Sequence, residues 1–192
     1  MSKTLVGVMG PGDGATDDDI RLAYELGRLI AQQNWILVTG GRRAGVMDAA
    51  SRGAKSARGT VVGILPGTDA KKMSTAVDIP IITGMNDARN NINVLTSQVL
   101  FFIGMSAGTA SELALALQHK KPAILVCQRE DVVHVFAAMS SSRLEIATDA
   151  ASAVASAKHI LAGGEETPRV TPDNRSVGPI NSEMLDHRQW DC

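Results

Sequence analysis

The feature that most restricts this chain is a series of short apolar runs that do not alternate with polar residues. They are TLVGVM (4–9), WILVT (35–39), TVVGIL (60–65), IPII (79–82), VLFFIG (99–104), AILVC (123–127) and a weaker LEIA (144–147). A strand with one wet face alternates, so runs of this kind belong to strands covered on both faces. Helical patterns fall between them, over about 17–33, 45–58, 87–96, 109–119, 130–139 and 149–162; Ala110, Leu113, Ala114 and Leu117 give an i, i+3, i+4, i+7 stripe. Strand and helix in strict alternation predict an α/β chain with one doubly wound domain, a mainly parallel sheet and helices on both faces. Aromatic residues make up only 3% of the chain, so Val, Ile, Leu and Ala must build the core.

The 192 residues suit one domain with a sizeable core, placed at 1–162, and a tail over 163–192. The tail carries three of the seven prolines, six acids, three arginines and no periodic apolar stripe, and reads as mostly disordered. A net charge of −1 offers no broad basic field for nucleic acid and no polybasic block for a membrane surface. No run approaches the roughly 18 apolar residues of a membrane span, and no secretory leader is evident. Cys127 and Cys192 make no disulfide framework, and Cys127 reads as a small core residue, so a soluble cytoplasmic protein is expected.

In a doubly wound sheet, ligands bind beyond the carboxyl ends of the strands, and that is where the glycines cluster. The five turns read GPGDGAT (10–16), GGRRAG (40–45), PGTD (66–69), TGMNDARNN (83–91) and GMSAGTASE (104–112). Four precede a predicted helix, whose first amides and dipole favour an anion. The turn Gly40-Gly41-Arg42-Arg43 adds two guanidinium forks suited to phosphate or another oxyanion, Arg42 being the stronger candidate; the alternative is a pair of solvated loop cations. A standard dinucleotide site is rejected, since Gly10-Pro11-Gly12-Asp13-Gly14 lacks the third glycine spacing, and no Walker sequence occurs.

Two further residues are ambiguous. Thr109-Ala-Ser-Glu112 fits a capping box as well as it fits a catalytic carboxylate. Asp87-Ala-Arg89-Asn90 fits a helix cap with a surface arginine, although an arginine facing Glu112 across the ligand edge would be a marked coincidence. The four histidines show no metal-ligand spacing, so no protein-built zinc site is expected, and no serine occupies a nucleophile elbow.

The segments GVMGPG (7–12), WILVTGGRRAGVMDAASRGAK (35–55), VVGILPG (61–67), VDIPIITGMNDARNNINVLTSQVL (77–100) and GTASELALALQHKKP (108–122) together resemble the molybdenum cofactor carrier proteins, in a Rossmann-like superfamily shared with cytokinin-activating phosphoribohydrolases. The resemblance spans about residues 4–162. It implies a homodimer or homotetramer that binds molybdopterin-bound molybdenum as cargo, protects and stores it, and passes it to molybdenum-dependent apo-enzymes without turnover. It implies binding positions at Gly10, Pro11, Gly12, Gly40, Gly41, Arg42, Met47, Pro66, Gly67, Arg89, Asn90, Ser106, Gly108, Thr109 and Glu112, with Met9, Met47 or Met105 available to pack on the pterin. The hydrolase relatives use a P-G-G-x-G-T-x-x-E loop and an upstream arginine. Here G-T-x-x-E survives at Gly108–Glu112 and Arg89 holds the arginine position, while P-G-G has become Gly104-Met105-Ser106. Nucleoside 5′-monophosphate hydrolysis through Arg89 and Glu112 is therefore the alternative reading.

Overall fold

The computed structural model describes residues 3–140 and 144–164. Its elements run β1 (Leu5–Met9), α1 (Asp17–Gln32), β2 (Ile36–Thr39), α2 (Gly45–Ser56), β3 (Thr60–Leu65), β4 (Ile79–Ile82), a 3₁₀ turn (Asn86–Arg89), α3 (Asn90–Thr96), β5 (Val99–Ile103), α4 (Ala107–Gln118), β6 (Ala123–Val126), α5 (Glu130–Met139), β7 (Leu144–Ala147) and α6 (Ala150–Leu161). The strands form one seven-stranded sheet in the order β4-β3-β2-β1-β5-β6-β7, with every pairing parallel. The expected α/β doubly wound architecture is present, including the weak LEIA strand. The segment expected to be one helix over 87–96 is divided, and the 3₁₀ turn at its start sets the angle from which Arg89 enters the site. The tail expected over 163–192 lies almost wholly outside the described residues.

Pleat alternation sends each strand's side chains to two cores. Val6 and Val8, Val99, Phe101 and Ile103, and Ile124 and Val126 pack with α1, α2 and α6. Met9, Leu100, Phe102 and Leu125 pack on the opposite side with residues of α3, α4 and α5. Phe101 and Phe102 are fully buried on opposite faces, which is how so few aromatics serve both layers. Helices α1 and α2 meet unusually closely: a Cβ at Gly27 would lie 2.1 Å from the Ala50 carbonyl oxygen, and one at Gly53 would lie 1.9 Å from that of Tyr24. No described helix is long and apolar enough to cross a membrane.

Helix starts follow local chemistry. The Thr16 hydroxyl accepts from the Asp19 amide, and the Asp19 carboxylate accepts from the Thr16 amide, closing a capping box at α1. Asp149 and Ser152 do the same at α6. The chain runs β1 to β4 toward one edge and β5 to β7 toward the other, so the strand order switches between β1 and β5. The turns after those two strands diverge there and leave a crevice.

Cys127 departs from its expected core role. β6 ends at Val126, and Cys127 turns into the left-handed region at φ 52°, exposed, with its thiol donating to the Thr148 carbonyl.

Candidate functional site

The crevice between β1 and β5 holds a cavity of about 250 Å³. Met9, Gly10, Gly12 and Asp13 reach it from β1 and its turn; Gly40 and Arg42 from the turn after β2, with Met47 from α2; Asp87, Arg89 and Asn90 from the 3₁₀ turn and α3; and Ser106, Gly108, Thr109 and Glu112 from the cap and first turns of α4. Four of the five glycine-rich turns therefore converge on it, and the turn after β3 does not.

At its base lies a buried polar network. Arg89 Nη1 donates to Asn90 Oδ1 at 2.7 Å and to Glu112 Oε1 at 3.2 Å, while Asn93 Nδ2 donates to the same Glu112 oxygen at 2.7 Å. Arg89 and Glu112 are only 9% and 5% exposed, a position that charged groups rarely occupy unpaired. Burial lifts the Glu112 carboxyl above the usual range, and the bonds from Asn93 and Arg89 oppose that rise. Burial also pulls Arg89 down, against the attraction of Glu112 and Asp87; arginine is basic enough to remain charged. Arg89 Nε and Asn93 Oδ1 are buried with no hydrogen-bond partner. A buried donor without an acceptor is costly, and this one belongs to a residue that lines the cavity.

The bare backbone of Gly40 makes room for this arginine. A Cβ there would lie 2.7 Å from both Arg89 Nη2 and Met47 Sδ. Gly40 thus has a steric role beyond turning the chain.

The structure resolves the capping ambiguity against Thr109 and Glu112. Helix α4 begins two residues earlier than expected, with Ser106 as its N-cap; the Ser106 hydroxyl accepts from the Thr109 amide at 3.2 Å and pairs with the Thr109 hydroxyl at 2.9 Å. Glu112 lies within the helix, and its carboxylate faces Arg89 and Asn93 instead of an orphan amide. Gly108 keeps open space around its α-carbon, since an added Cβ would meet only Ser106 Oγ, at 3.9 Å. The α4 N-terminus is accordingly accessible from the cavity.

The amides expected to bind an anion at the start of α2 are partly closed off. Val46 N donates to the Pro11 carbonyl at 3.0 Å, and a Cβ at Gly45 would lie 2.2 Å from the Gly12 carbonyl oxygen. At this corner the cation offered to the cavity is the Arg42 side chain, which pairs with Asp13 at 3.1 Å. Arg43 is exposed, does not line the cavity, and ties its amide to the Lys72 carbonyl.

Pro11, Gly41, Pro66 and Gly67 do not line the cavity either. They brace it instead: the carbonyls of Pro66 and Gly67 accept from Asn86 and Gly84, holding the approach to Arg89, and Gly41, at φ 72°, accepts from the Ser74 amide and lies against Gly63. Of the methionines, Met9 and Met47 reach the cavity, and Met105 packs against the β5–α4 core. Sequence reasoning missed Asp13, Asp87 and Asn93. Asp13 was legible as an acid within a glycine turn, but Asn93 follows Arg89 by one helical turn and carries no signal until Glu112 is known to face it. Among the described residues no group of three or more His, Cys, Asp or Glu could hold a metal ion.

A family model described as the SLOG cluster4 family matches residues 3–158. The structure of the molybdenum cofactor binding protein from the phototrophic bacterium Rippkaea orientalis superimposes with a TM-score of 0.82 and 47% identity, covering 84% of this chain and 99% of that one. The molybdenum cofactor carrier protein of Chlamydomonas reinhardtii gives a TM-score of 0.80 at 47% identity, with the same coverage of each chain. An uncharacterized protein of Archaeoglobus fulgidus is 43% identical over 123 residues, which is 63% of this chain and 78% of that protein. The chain belongs to the SLOG cluster4 family and, with these relatives, to the molybdenum cofactor carrier proteins.

Proposed function

We propose that the protein binds molybdenum cofactor as cargo, shields it, and delivers it to molybdenum-dependent apo-enzymes in the cytoplasm. The observation that carries this reading is the 47% identity to cofactor-binding and carrier proteins over 84% of the chain, and the cavity residues lie within the 3–158 span of the family match. The cavity also suits the chemistry of the cargo. Its phosphate or oxo-metal oxygens would accept from the Arg89 guanidinium, which lines the cavity, and from the open start of α4. Met9 and Met47 offer soft, polarizable surface to the pterin. A cavity of about 250 Å³ is small for a ligand of this size, so part of the cofactor would extend toward the rim at Asp13 and Arg42.

Assembly into a homodimer or homotetramer is part of the same proposal. On the sheet face away from α1 and α2, Val62 and Ile64 register with Ile79 and Ile81 of edge strand β4, and those two isoleucines are 48% and 40% exposed. Ile82 and Met85 beside this edge, and Leu95 on α3, are exposed as well, and an unpaired apolar edge strand is a surface that a second copy can cover.

The test is anaerobic purification from a host that makes the cofactor, followed by assay of molybdenum and oxidised pterin per chain. Near-stoichiometric co-purification supports carriage; absence of both, with no uptake of purified cofactor, refutes it. A second reading is favoured by the Arg89–Glu112 pair itself: hydrolysis of a nucleoside 5′-monophosphate, with Arg89 on phosphate and Glu112 on ribose or water. It predicts release of free base by the wild type and loss of that release in Glu112→Gln.

A further inference from the structure

The two arginines of the cavity are held in opposite ways. Arg89 is buried and tied by Asn90 and Glu112. Arg42 has a side chain 32% exposed at the rim, and its ion pair is with Asp13, whose side chain is 86% exposed on the turn after β1. Both members of that pair line the cavity. The turn is anchored on each side, by the Pro11 carbonyl on Val46 N and by the Thr16 cap of α1. Between the anchors the chain is lightly held: the Ala15–Gly12 backbone bond is 3.4 Å long, and Gly14, at φ 86°, has nothing within 4 Å of an added Cβ. The guanidinium runs beside Gly12, where a Cβ would lie 3.4 Å from Arg42 Nη1 and 3.0 Å from Met47 Cε.

We propose that Asp13 is a stand-in anion: its carboxylate occupies Arg42 while the cavity is empty, and an anionic group of the incoming ligand displaces it as the Gly12–Gly14 turn swings away. This rests on the reading of the cavity as the site of an anionic cargo. The displacement makes Asp13 a selectivity residue. A ligand must outcompete a tethered carboxylate to gain Arg42, which a phosphate or oxyanion of higher charge does and a neutral or weakly anionic molecule does not. Re-formation of the pair on ligand departure also leaves Arg42 neutralised instead of recapturing the cargo. An exposed pair of this kind is weak, so it sets a threshold without blocking entry.

The test is a double-mutant cycle on the full chain with wild type, Asp13→Asn, Arg42→Gln and the combined variant, each titrated anaerobically with purified molybdenum cofactor and separately, by calorimetry, with inorganic pyrophosphate. Asp13→Asn is expected to tighten binding by about twofold to fivefold at low salt. The gain should shrink at higher ionic strength and vanish in the Arg42→Gln background. If Asp13→Asn weakens binding, leaves it unchanged, or tightens it equally without Arg42, the stand-in role is overturned even though the cofactor binds. If the cofactor fails to bind but pyrophosphate shows the coupling, the carrier reading fails and the stand-in role survives. If neither ligand binds, both fall.

Discussion

Replacing Arg89 by Gln separates what the buried pair does for the fold from what it does for the ligand. In the wild type, burial raises the Glu112 carboxyl, with Asn93 and Arg89 opposing the rise. Removing the guanidinium leaves Asn93 as the remaining partner of the carboxylate, so the folded-state pKa climbs further. A carboxyl raised above its unfolded value contributes stability that is present below the unfolded pKa and is lost as pH rises through the folded one. The variant should therefore lie nearest to the wild type at pH low enough to protonate Glu112 in both, and fall behind as pH rises. Its deficit grows by at most about 1.4 kcal/mol per pH unit. It should level off at about 3–5 kcal/mol, the usual consequence of stranding one member of a buried pair. For a chain of this size that is roughly 6–20 °C of Tm, measured by thermal denaturation at pH 5 to 8. Adding Glu112→Gln removes the stranded charge and should recover most of the loss at pH 8, yet cofactor binding should stay weak because the Arg89 donors are still missing. A deficit independent of pH, or a double variant as unstable as Arg89→Gln, would refute the desolvation argument. Recovery of binding in the double variant would refute the assignment of Arg89 to the ligand.

Three other substitutions test separate parts of the structure. Gly40→Ala places a methyl where Arg89 Nη2 and Met47 Sδ now lie, so cofactor retention measured by ultrafiltration should fall several-fold, with Tm changed by only a few degrees, since the displaced atoms are side-chain tips. Gly53→Ala, ordinarily favourable by roughly 0.5–1 kcal/mol in a helix, should instead lower Tm, because its Cβ meets the Tyr24 backbone oxygen at 1.9 Å and the α1–α2 contact must open; a rise in Tm would show that the contact gives way freely. Ile81→Lys on exposed β4 should shift the chain toward the monomer in analytical ultracentrifugation, and an unchanged sedimentation coefficient would remove that edge from the proposed interface.

Much of the architecture was legible before any coordinates because it rests on local regularities. Non-alternating runs such as VLFFI at 99–103 can only be strands covered on both faces, and the glycine turns mark their carboxyl ends. The helix starts were less legible. Thr109 and Ser106 are both good N-caps, and Ser106 prevails because α4 must begin as soon as the chain leaves β5 if Glu112 is to face inward. Cys127 misled for a related reason: the sequence shows one apolar run, whereas the strand ends a residue earlier and the chain turns there through a positive φ.

What the sequence by itself determined was the succession of strands and helices, the edge of the sheet where glycine and arginine gather, and the likeness to cofactor carriers. Only the tertiary structure decided which of those residues meet. Strand order is a non-local property: placing β5 beside β1, between segments about ninety residues apart, carries Glu112 to Arg89 and Asn93 and opens the crevice that Asp13 and Arg42 flank. The same packing strips water from Arg89 and Glu112, and it is this desolvation that turns an ordinary arginine and glutamate into a buried pair on the wall of the cavity.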